Sequence, residues 1–393
     1  MADLIPYVSG IGEDPAQLAA LRARHAVVRS PRGLEVLRYR PAVEVLDHRD
    51  LEKGASFQRR LDDVGIVDGE GRAVWERMLV TSEGERRRHL RVPFTGLLRG
   101  PHIARLRQEI RQIVEDALDE IEDPGDADLM TELAWKIPSR VYCHLVSAPR
   151  DQADYAAHLS DTTLAPILTC DRSRRQESID AFKATYDFVA RHLEERRRTG
   201  LGDDFTSIMV RQQMEGRQSE EELVFEGIAL LQASIDNTVH QIGLVLGTLM
   251  EEPARWRAIC ADTASVPAGV EEAMRLNPRF GTIFRHAPAA TMLGDIPVPA
   301  DSWVFVAIRS ANRDPEQFED SDAFRFDRGT KRALQFGGGP YSCLGQVMAR
   351  TEIHEVVAAL SARFPQAGLS GDWSRTVTNA VTETKSLRAR LRP

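Results

Sequence analysis

A glycine-rich segment places a single cysteine, Cys343, where a helix is predicted to begin. The segment spans residues 336–345 and reads FGGGPYSCLG. The apolar residues that follow recur at helical spacing; they are Leu344, Val347, Met348, Ile353, Val356, Val357 and Leu360. Unpaired backbone N–H groups and the positive end of a helix dipole lower the pKa of a thiol and favour the thiolate. A thiolate suits a metal ion, and a lone cysteine suits haem iron, because the porphyrin supplies the equatorial ligands.

The segment resembles the cysteine-ligand loop of the cytochrome P450 family. The shared residues are Phe336, Gly337, Gly339, Cys343 and Gly345, and residues 349–352, which read ARTE, extend the likeness into the next helix. The resemblance implies that Phe336, Gly337 and Gly345 help to bind haem b, with Cys343 as the axial ligand of the iron. It also implies a mainly α fold with small β-sheets, the cytochrome P450 fold, over nearly the whole chain. The alternative is an ordinary buried cysteine at a helix start.

An acid and a base stand three residues apart at Glu272 and Arg275, on one face of a predicted helix. An isolated pair of this kind is usually a solvated surface pair. Here it resembles the E-x-x-R element of the family, which forms a buried ion-pair network behind the haem loop. Residues 311–315 and 324–326 resemble the segment that completes this network.

Three arginines are implied to bind the haem propionates. Arg285 resembles the arginine that pairs with a propionate, a group that suits a guanidinium fork. In the basic run 85–91, Arg87 and Arg91 lie four residues apart and therefore on one helical face. Arg87 stands where the family usually has histidine. The alternatives are an exposed arginine at 285 and a solvated basic face at 85–91.

Tyr341 is a second departure, because the family usually has His or Arg two residues before the ligand cysteine. A phenol donates one hydrogen bond but carries no positive charge at neutral pH. We therefore expect haem binding to persist, with the propionate charge balanced by the three arginines and the haem potential shifted.

The third departure lies in a long helix, where residues 233–238 read ASIDNT. The family's oxygen-binding element is Ala-Gly-x-Asp/Glu-Thr. Asp236 keeps the acid, Asn237 occupies the alcohol position, and Thr238 lies about 100° further round the helix. Ser234 replaces the glycine. The alcohol of the family helps to deliver the protons that break the O–O bond, and an amide is a poor proton relay.

Several functions remain open on these residues. In one, the substrate or a water completes the proton relay, and the enzyme hydroxylates or epoxidises its substrate. In another, it couples or cyclises the substrate through C–C or C–N bonds without net oxygen insertion. Asn237 as a neutral substitution is a third possibility. A haem-thiolate binding or sensing protein without turnover, and a helical scaffold without haem, are alternatives of other classes.

The surrounding sequence predicts the elements that carry these residues. Apolar periodicity predicts helices over 105–122, 178–197 and 219–251. The last opens with a capping-box pattern and is apolar almost all round, so we expect it to cross the middle of the molecule. Short strands are predicted over 33–40 and 302–308. Repeats and long linkers are absent, which favours one domain over 1–393.

Composition excludes several classes of function. Hydrophobic content is 42% and net charge is −8, which is ordinary for a soluble protein and does not favour nucleic acid as a partner. The cysteines form no C-x-x-C pair, so neither a zinc site nor a disulfide framework is indicated; they are Cys143, Cys170, Cys260 and Cys343. No signal peptide or long apolar run is evident, so we expect a cytoplasmic enzyme of the bacterial type that does not enter a membrane.

The resemblance also implies the partners. The chain contains no flavin or nicotinamide module, so electrons would come from a ferredoxin and an NAD(P)H-dependent ferredoxin reductase. Lys331, Arg332 and Arg350 offer positive charge near Cys343 for docking of the ferredoxin. The substrate would be a small molecule of secondary metabolism. The stretches implied to line its pocket are 60–78, 158–174, 230–237, 279–284 and 379–382.

Overall fold

Helices make up most of the architecture. A computed structural model describes residues 5–10, 14–98, 100–329, 333–378 and 380–392. The α-helices are α1 Pro15–Arg24, α2 Tyr39–Asp47, α3 Gly54–Val64, α4 Gly69–Trp75, α5 Gly84–Leu97, α6 Gly100–Asp119, α7 Lys136–Val146, α8 Ala153–Thr169, α9 Arg175–Thr199, α10 Phe205–Met214, α11 Glu220–Met250, α12 Pro253–Ala261, α13 Val266–Leu276, α14 Ile308–Ala311 and α15 Gln346–Arg363.

Short strands form small sheets at the sides of the helices. The strands are β1 Val27–Ser30, β2 Gly33–Val36, β3 Ala127–Asp128, β4 Thr282–Ala287, β5 Thr291–Leu293, β6 Ile296–Val298, β7 Ser302–Ala307, β8 Gly368–Leu369, β9 Ser374–Val377, β10 Thr382–Ser386 and β11 Arg388–Arg390. The largest sheet has the order β1-β2-β7-β4. The β2 and β7 strands pair in parallel, and β4 pairs antiparallel to β7 with Arg285 opposite Val304. The predicted mixture of many helices and small sheets is confirmed.

Helix α11 crosses the middle of the molecule, as its sequence predicts. Ser219 caps it, because the Ser219 hydroxyl accepts from the Glu222 backbone and the Glu222 carboxylate accepts from the Ser219 backbone. It packs against α7, α8, α9, α13 and α15. Nearly all its side chains beyond the first turn are buried, which an apolar sequence on every face requires.

The other predicted elements are present with shifted ends. Helix 178–197 lies within α9, helix 105–122 is α6, and strand 302–308 is β7. The strand predicted over 33–40 is wrong beyond Val36, because helix α2 begins at Tyr39. The Tyr39 backbone N–H donates to the Asp314 carboxylate at 2.8 Å, so a residue distant in sequence stabilises this helix start. Among the described residues, no helix is both long and apolar enough to cross a membrane.

Candidate functional site

The loop before α15 depends on glycine at two positions. Gly337 and Gly339 have φ values of +68° and +61°, which favour glycine. A Cβ atom on Gly339 would lie 2.3 Å from the backbone oxygen of Leu46, so α2 also limits this position to glycine. The Cys343 backbone N–H donates to the Phe336 carbonyl at 3.0 Å and closes the loop. These constraints restrict the loop to one backbone conformation, which fixes the position of Cys343.

Cys343 lies just before α15, and its side chain is exposed. The surrounding protein nevertheless limits its solvation, and this desolvation raises the pKa of the free thiol. A hydrogen bond from the Gly345 backbone N–H and the nearby charges of Lys53 and Arg91 act in the opposite direction but do not outweigh burial. The prediction of a lowered pKa is thus wrong for the free thiol.

The predicted ion pair behind the loop is buried, as expected. Arg275 donates to both carboxylate oxygens of Glu272 at 2.7 Å, and both residues are almost wholly inaccessible. The remaining Arg275 N–H groups donate to the carbonyls of Asn312 and Ser321 at 2.7 and 2.6 Å. Arg328, which sequence analysis missed, adds a second cation by donating to Glu272 at 2.6 Å. The pair is therefore fully hydrogen-bonded, the condition under which a buried ion pair is tolerated.

Asn312 joins this network to the cysteine loop. Its side-chain amide donates to the Arg275 carbonyl at 3.2 Å, and its side-chain oxygen accepts from the Leu334 backbone N–H at 2.7 Å. The Leu334 carbonyl in turn accepts from the backbone N–H of Gly337 at 2.9 Å. Residues 311–315 thus complete the network as the resemblance implies.

Four basic residues lie near Tyr341 on the side of the loop that faces α5 and β4. The Arg87 and Arg285 guanidinium carbons lie 4.8 and 4.9 Å from the centre of the Tyr341 ring. Arg91 donates to the carbonyls of Pro340 and Ser342, both at 3.2 Å. The fourth is Lys53, whose pKa is lowered to about 7 by burial and by the repulsion of Arg87 and Arg285. Sequence analysis identified the three arginines but missed the lysine.

One carboxylate, Glu83, lies among these cations. It accepts a hydrogen bond from the Tyr341 hydroxyl at 2.5 Å and from the Lys53 backbone N–H at 2.7 Å. Burial of the ring and the hydrogen bond to Glu83 raise the pKa of Tyr341. The phenol therefore has a protein partner that its sequence context did not reveal.

The excess of positive charge fits the propionates of haem b. The Nε atoms of Arg87 and Arg285 are buried without a hydrogen-bond partner in the described part of the chain. Against three arginines and the partly protonated Lys53, Glu83 is the only carboxylate that the described residues place in this cluster. Buried charge of one sign calls for anionic partners, and propionates supply them within reach of a thiol ligand. The donor set is therefore consistent with this cofactor.

A narrow stripe of α11 remains accessible inside an otherwise buried helix. Between Leu223 and Met250, the residues that are not buried are Ala229, Ala233, Ser234 and Asn237. Their spacing of three, four and eight places them on one face. Asn237 and Ser234 thus lie on this stripe, while Asp236 and Thr238 are buried. That Thr238 cannot replace Asn237 directly stays a prediction.

Asp236 belongs to a buried polar cluster. One of its oxygens accepts from Arg279 at 3.0 Å, and the other has no hydrogen-bond partner. His240 lies 3.8 Å from the unpaired oxygen, and burial lowers the pKa of this histidine to about 3, so its ring is neutral. Asp161 reaches the same cluster from α8, where burial and the charge of Asp236 raise its pKa. Arg279, Asp161 and His240 were not identified from sequence, because they contact Asp236 only after folding.

The docking role of the cations near Cys343 stays a prediction. Arg350 forms an ion pair with Glu271 at 2.5 Å and lies over the Phe336 ring, so much of its charge is neutralised. Lys331 and Arg332 lie outside the described residues, as does Asn379 of the implied pocket.

Comparisons with known proteins agree with this geometry. A family model described as "Cytochrome P450" matches residues 48–367. Luteothin monooxygenase of Streptomyces thioluteus is 30% identical over 382 residues, covering 95% of this chain and 93% of that protein. The 6-deoxyerythronolide B hydroxylase of Saccharopolyspora erythraea is 32% identical over 279 residues, covering 69% and 68%. The crystal structure of CalO2 aligns with a TM-score of 0.89 at 23% identity, covering 98% of this chain and all of that one (100%).

Proposed function

The chain belongs to the cytochrome P450 family, and from that premise we propose that Cys343 is the axial ligand of its haem iron. The family makes the protein a monooxygenase with haem b as its cofactor. The observation that carries the assignment is the position of an accessible thiol beside a cluster of cations with too few anions. When bound, haem ligated by a thiolate supplies the oxidising chemistry.

The protein residues around the haem have separate roles in this proposal. Arg87, Arg91 and Arg285 pair with the propionates, and Tyr341 orients Glu83 so that this carboxylate faces Lys53 rather than the propionates. Phe336, Gly337 and Gly345 hold the loop backbone in place. Glu272 and Arg275 are structural. We also propose that residues 1–393 fold as one domain, since one apolar cluster draws buried side chains from Phe57 to Leu391.

On the opposite side, Asn237 holds water or substrate, and Asp236 sets the local charge. The side-chain oxygen of Asn237 is buried without a hydrogen-bond partner among the described residues, although the residue itself lies on the accessible stripe. It can accept a hydrogen bond from a substrate or from water, which then completes proton delivery that the amide cannot provide alone. Thr238 is buried and acts only by supporting this turn of α11.

The reaction we propose is hydroxylation or epoxidation of a small molecule of secondary metabolism. The names of the two relatives, a monooxygenase and a hydroxylase, support insertion of oxygen over oxidative coupling. Electrons come from a ferredoxin and its NAD(P)H-dependent reductase, with the whole system in the cytoplasm. Oxidative coupling of the substrate is the second candidate. It is favoured by Asn237, which lies on the accessible stripe where the family has an alcohol that relays protons.

Two experiments test the proposal. In the first, the reduced protein is exposed to carbon monoxide, and the red-shifted Soret band of a thiolate ligand is expected in the wild type and lost in Cys343→His. A wild type without this band would refute the assignment of Cys343. In the second, labelled dioxygen is supplied with ferredoxin, reductase and substrate. Label in the product supports insertion, whereas an unlabelled oxidised product supports coupling, and no product at all favours a binding or sensing role.

A further inference from the structure

Arg60 on α3 is a buried cation without an anionic partner. Its side chain is only 7% exposed, and it forms no ion pair with any described residue. Its one hydrogen bond within the described part of the chain runs from Nη1 to the Leu168 carbonyl at 3.4 Å, which is long. The buried arginines Arg275 and Arg279 instead pair with carboxylates. An unpaired buried charge is unfavourable, so the position of Arg60 calls for a partner from outside the chain.

The surroundings of Arg60 leave its edge free for such a partner. One face of the guanidinium lies over the Phe284 ring at 4.9 Å, and Phe284 stacks on Phe305 at 5.2 Å. Successive residues of β4 point to opposite sides of the sheet. Phe284 therefore carries Arg60 on one side, while Arg285 meets Tyr341 on the other. Arg60 is thus separated from the cations proposed to bind the propionates.

Arg60 lies where three walls of the implied substrate pocket meet. It belongs to α3, its hydrogen-bond acceptor Leu168 is near the end of α8, and Phe284 is in β4. These positions fall within the stretches 60–78, 158–174 and 279–284. A group bound by Arg60 would consequently touch the substrate pocket from the side that α3 and α8 cover.

The charge of Arg60 is retained at neutral pH. Burial, the largest influence, lowers its pKa to about 10, which still leaves the guanidinium protonated. Cys170 and Asp63 favour its charge, but Asp63 is exposed and forms no ion pair with Arg60 in the described chain. Arg279, a neighbouring cation, is already bound to Asp236. Arg60 therefore keeps its charge without a directly paired carboxylate among the described residues.

We propose that Arg60 is an anion-binding subsite of the substrate pocket and that the substrate presents a carboxylate to it. A guanidinium edge binds a carboxylate through parallel N–H···O bonds, while its face remains on an aromatic ring. This inference rests on the proposed function, since it concerns the substrate of that same site. It narrows the substrate class to acidic molecules, including acids whose carboxylate lies remote from the oxidised carbon.

The first test measures the stability of the substrate-free holoenzyme. Arg60→Met keeps the length of the side chain and removes the unpaired charge, so the melting temperature is expected to rise by about 2 °C. Arg59→Met is the matched control, because Arg59 lies on the same helix over the Trp303 ring at 4.7 Å and is only half-buried. A melting temperature that falls in Arg60→Met but not in Arg59→Met would make Arg60 a structural residue and overturn the proposal.

The second test measures ligand preference by calorimetry on the ferric holoenzyme. The probes are straight-chain carboxylic acids of eight to sixteen carbons and the corresponding primary amides. The wild type and Arg59→Met are expected to bind the best carboxylate at least ~10-fold more tightly than its amide, and Arg60→Met to bind the two within ~2-fold. Arg60→Lys should retain part of the preference, because it keeps the charge but not the fork.

Two outcomes overturn the subsite. One is that no carboxylate of the panel is preferred by the wild type, whether through equal binding or through no binding. The other is that Arg60→Met keeps the preference. The carbon monoxide spectrum of each variant separates this failure from failure of the proposed function, because an intact thiolate spectrum with no carboxylate preference rejects the subsite alone.

Discussion

The ion-pair network behind Cys343 and the part of α11 across from it differ in how completely their polar groups are paired. Behind Cys343, Glu272, Arg275 and Asn312 satisfy one another and the surrounding carbonyls. Across the site, Asn237 and His240 leave buried polar atoms without partners in the described chain. A fully paired network holds one geometry, whereas unpaired groups are positions that water or a ligand completes. The network behind Cys343, on what we call the proximal side, thus holds the cysteine in place. The distal side, where α11 faces the site, can receive water or a bound molecule.

Breaking the proximal pair should have the largest effect on stability. Glu272→Gln removes the charge that compensates Arg275 and Arg328, leaving buried cations without a counter-ion. We expect a loss of about 3–5 kcal/mol in the free energy of unfolding. Urea unfolding followed by circular dichroism measures this loss, and haem content reports the damage to the loop.

The adjacent acid supplies a matched control. Glu271 carries the same carboxylate one residue earlier, but its pair with Arg350 is partly solvated, with side-chain exposures of 39% and 28%. Glu271→Gln is therefore expected to cost at most about 1 kcal/mol. Equal losses in the two variants would show that burial of Glu272 is not what stabilises the proximal side.

Substitution of a loop glycine should have the next largest effect. Gly339→Ala forces a left-handed residue and a contact with the Leu46 backbone, for which we expect a loss of about 2–4 kcal/mol. At Gly337 a Cβ atom would meet only the Ile283 side chain at 3.7 Å, so Gly337→Ala should lose about 1–2 kcal/mol from backbone strain alone. The same urea experiment ranks the two. If Gly337→Ala were the more damaging, contact with α2 would not be the constraint.

The sequence made the proximal side readable because its determinants are local. Cys343 and its glycines lie within ten residues, and Glu272 and Arg275 are one helical turn apart. Each of these patterns predicts its local structure without knowledge of how the element packs in the fold. The burial of Glu272 could also be expected, since the resemblance supplied the context that an isolated pair lacks.

Contacts between distant segments could not be read in this way. Tyr341 and Glu83 are 258 residues apart, and Arg279 is 43 residues from Asp236. Nothing local in either segment indicates the pairing, because it depends on how β4, α5 and α11 pack. The unpaired state of Arg60 is likewise visible only when all of its neighbours are known. The strand prediction beyond Val36 was wrong for the same reason, since Asp314 caps α2.

A smaller effect, the pH dependence of stability, should be similar on the two sides. Each side contains a buried acid with a raised pKa. Burial raises the pKa of Glu226 on α11 and of Glu352 on α15 to about 8. A raised pKa means that the folded protein binds more protons than the unfolded chain between pH ~4.3 and 8. Stability contributed by the neutral carboxyl is thus present at low pH and is lost as the pH rises through this window.

Replacement by glutamine should remove this pH dependence. When the pH rises from 6 to 7, the free energy of unfolding of Glu226→Gln and of Glu352→Gln should each increase by about 1 kcal/mol relative to that of the wild type. Urea midpoints at the two pH values measure the gain. Each variant provides the comparison for the other, because they lie on opposite sides of the site. A difference from the wild type that does not change with pH would show that the carboxyl is already ionised at pH 6.

The smallest effect on stability is expected where the effect on chemistry is most informative. Asn237→Thr restores the alcohol of the family at a position whose amide oxygen makes no hydrogen bond to any described residue, so the free energy of unfolding should change by no more than about 0.5 kcal/mol. The hydroxyl provides a proton relay. The ratio of hydrogen peroxide to product, measured with ferredoxin, reductase and substrate, should therefore fall by about 10-fold. Asn237→Val, which can neither donate nor accept, should change the ratio in the opposite direction to Thr. If both variants keep the wild-type ratio, Asn237 does not control proton delivery, and the distal side differs from the proximal side in its pairing but not in its function.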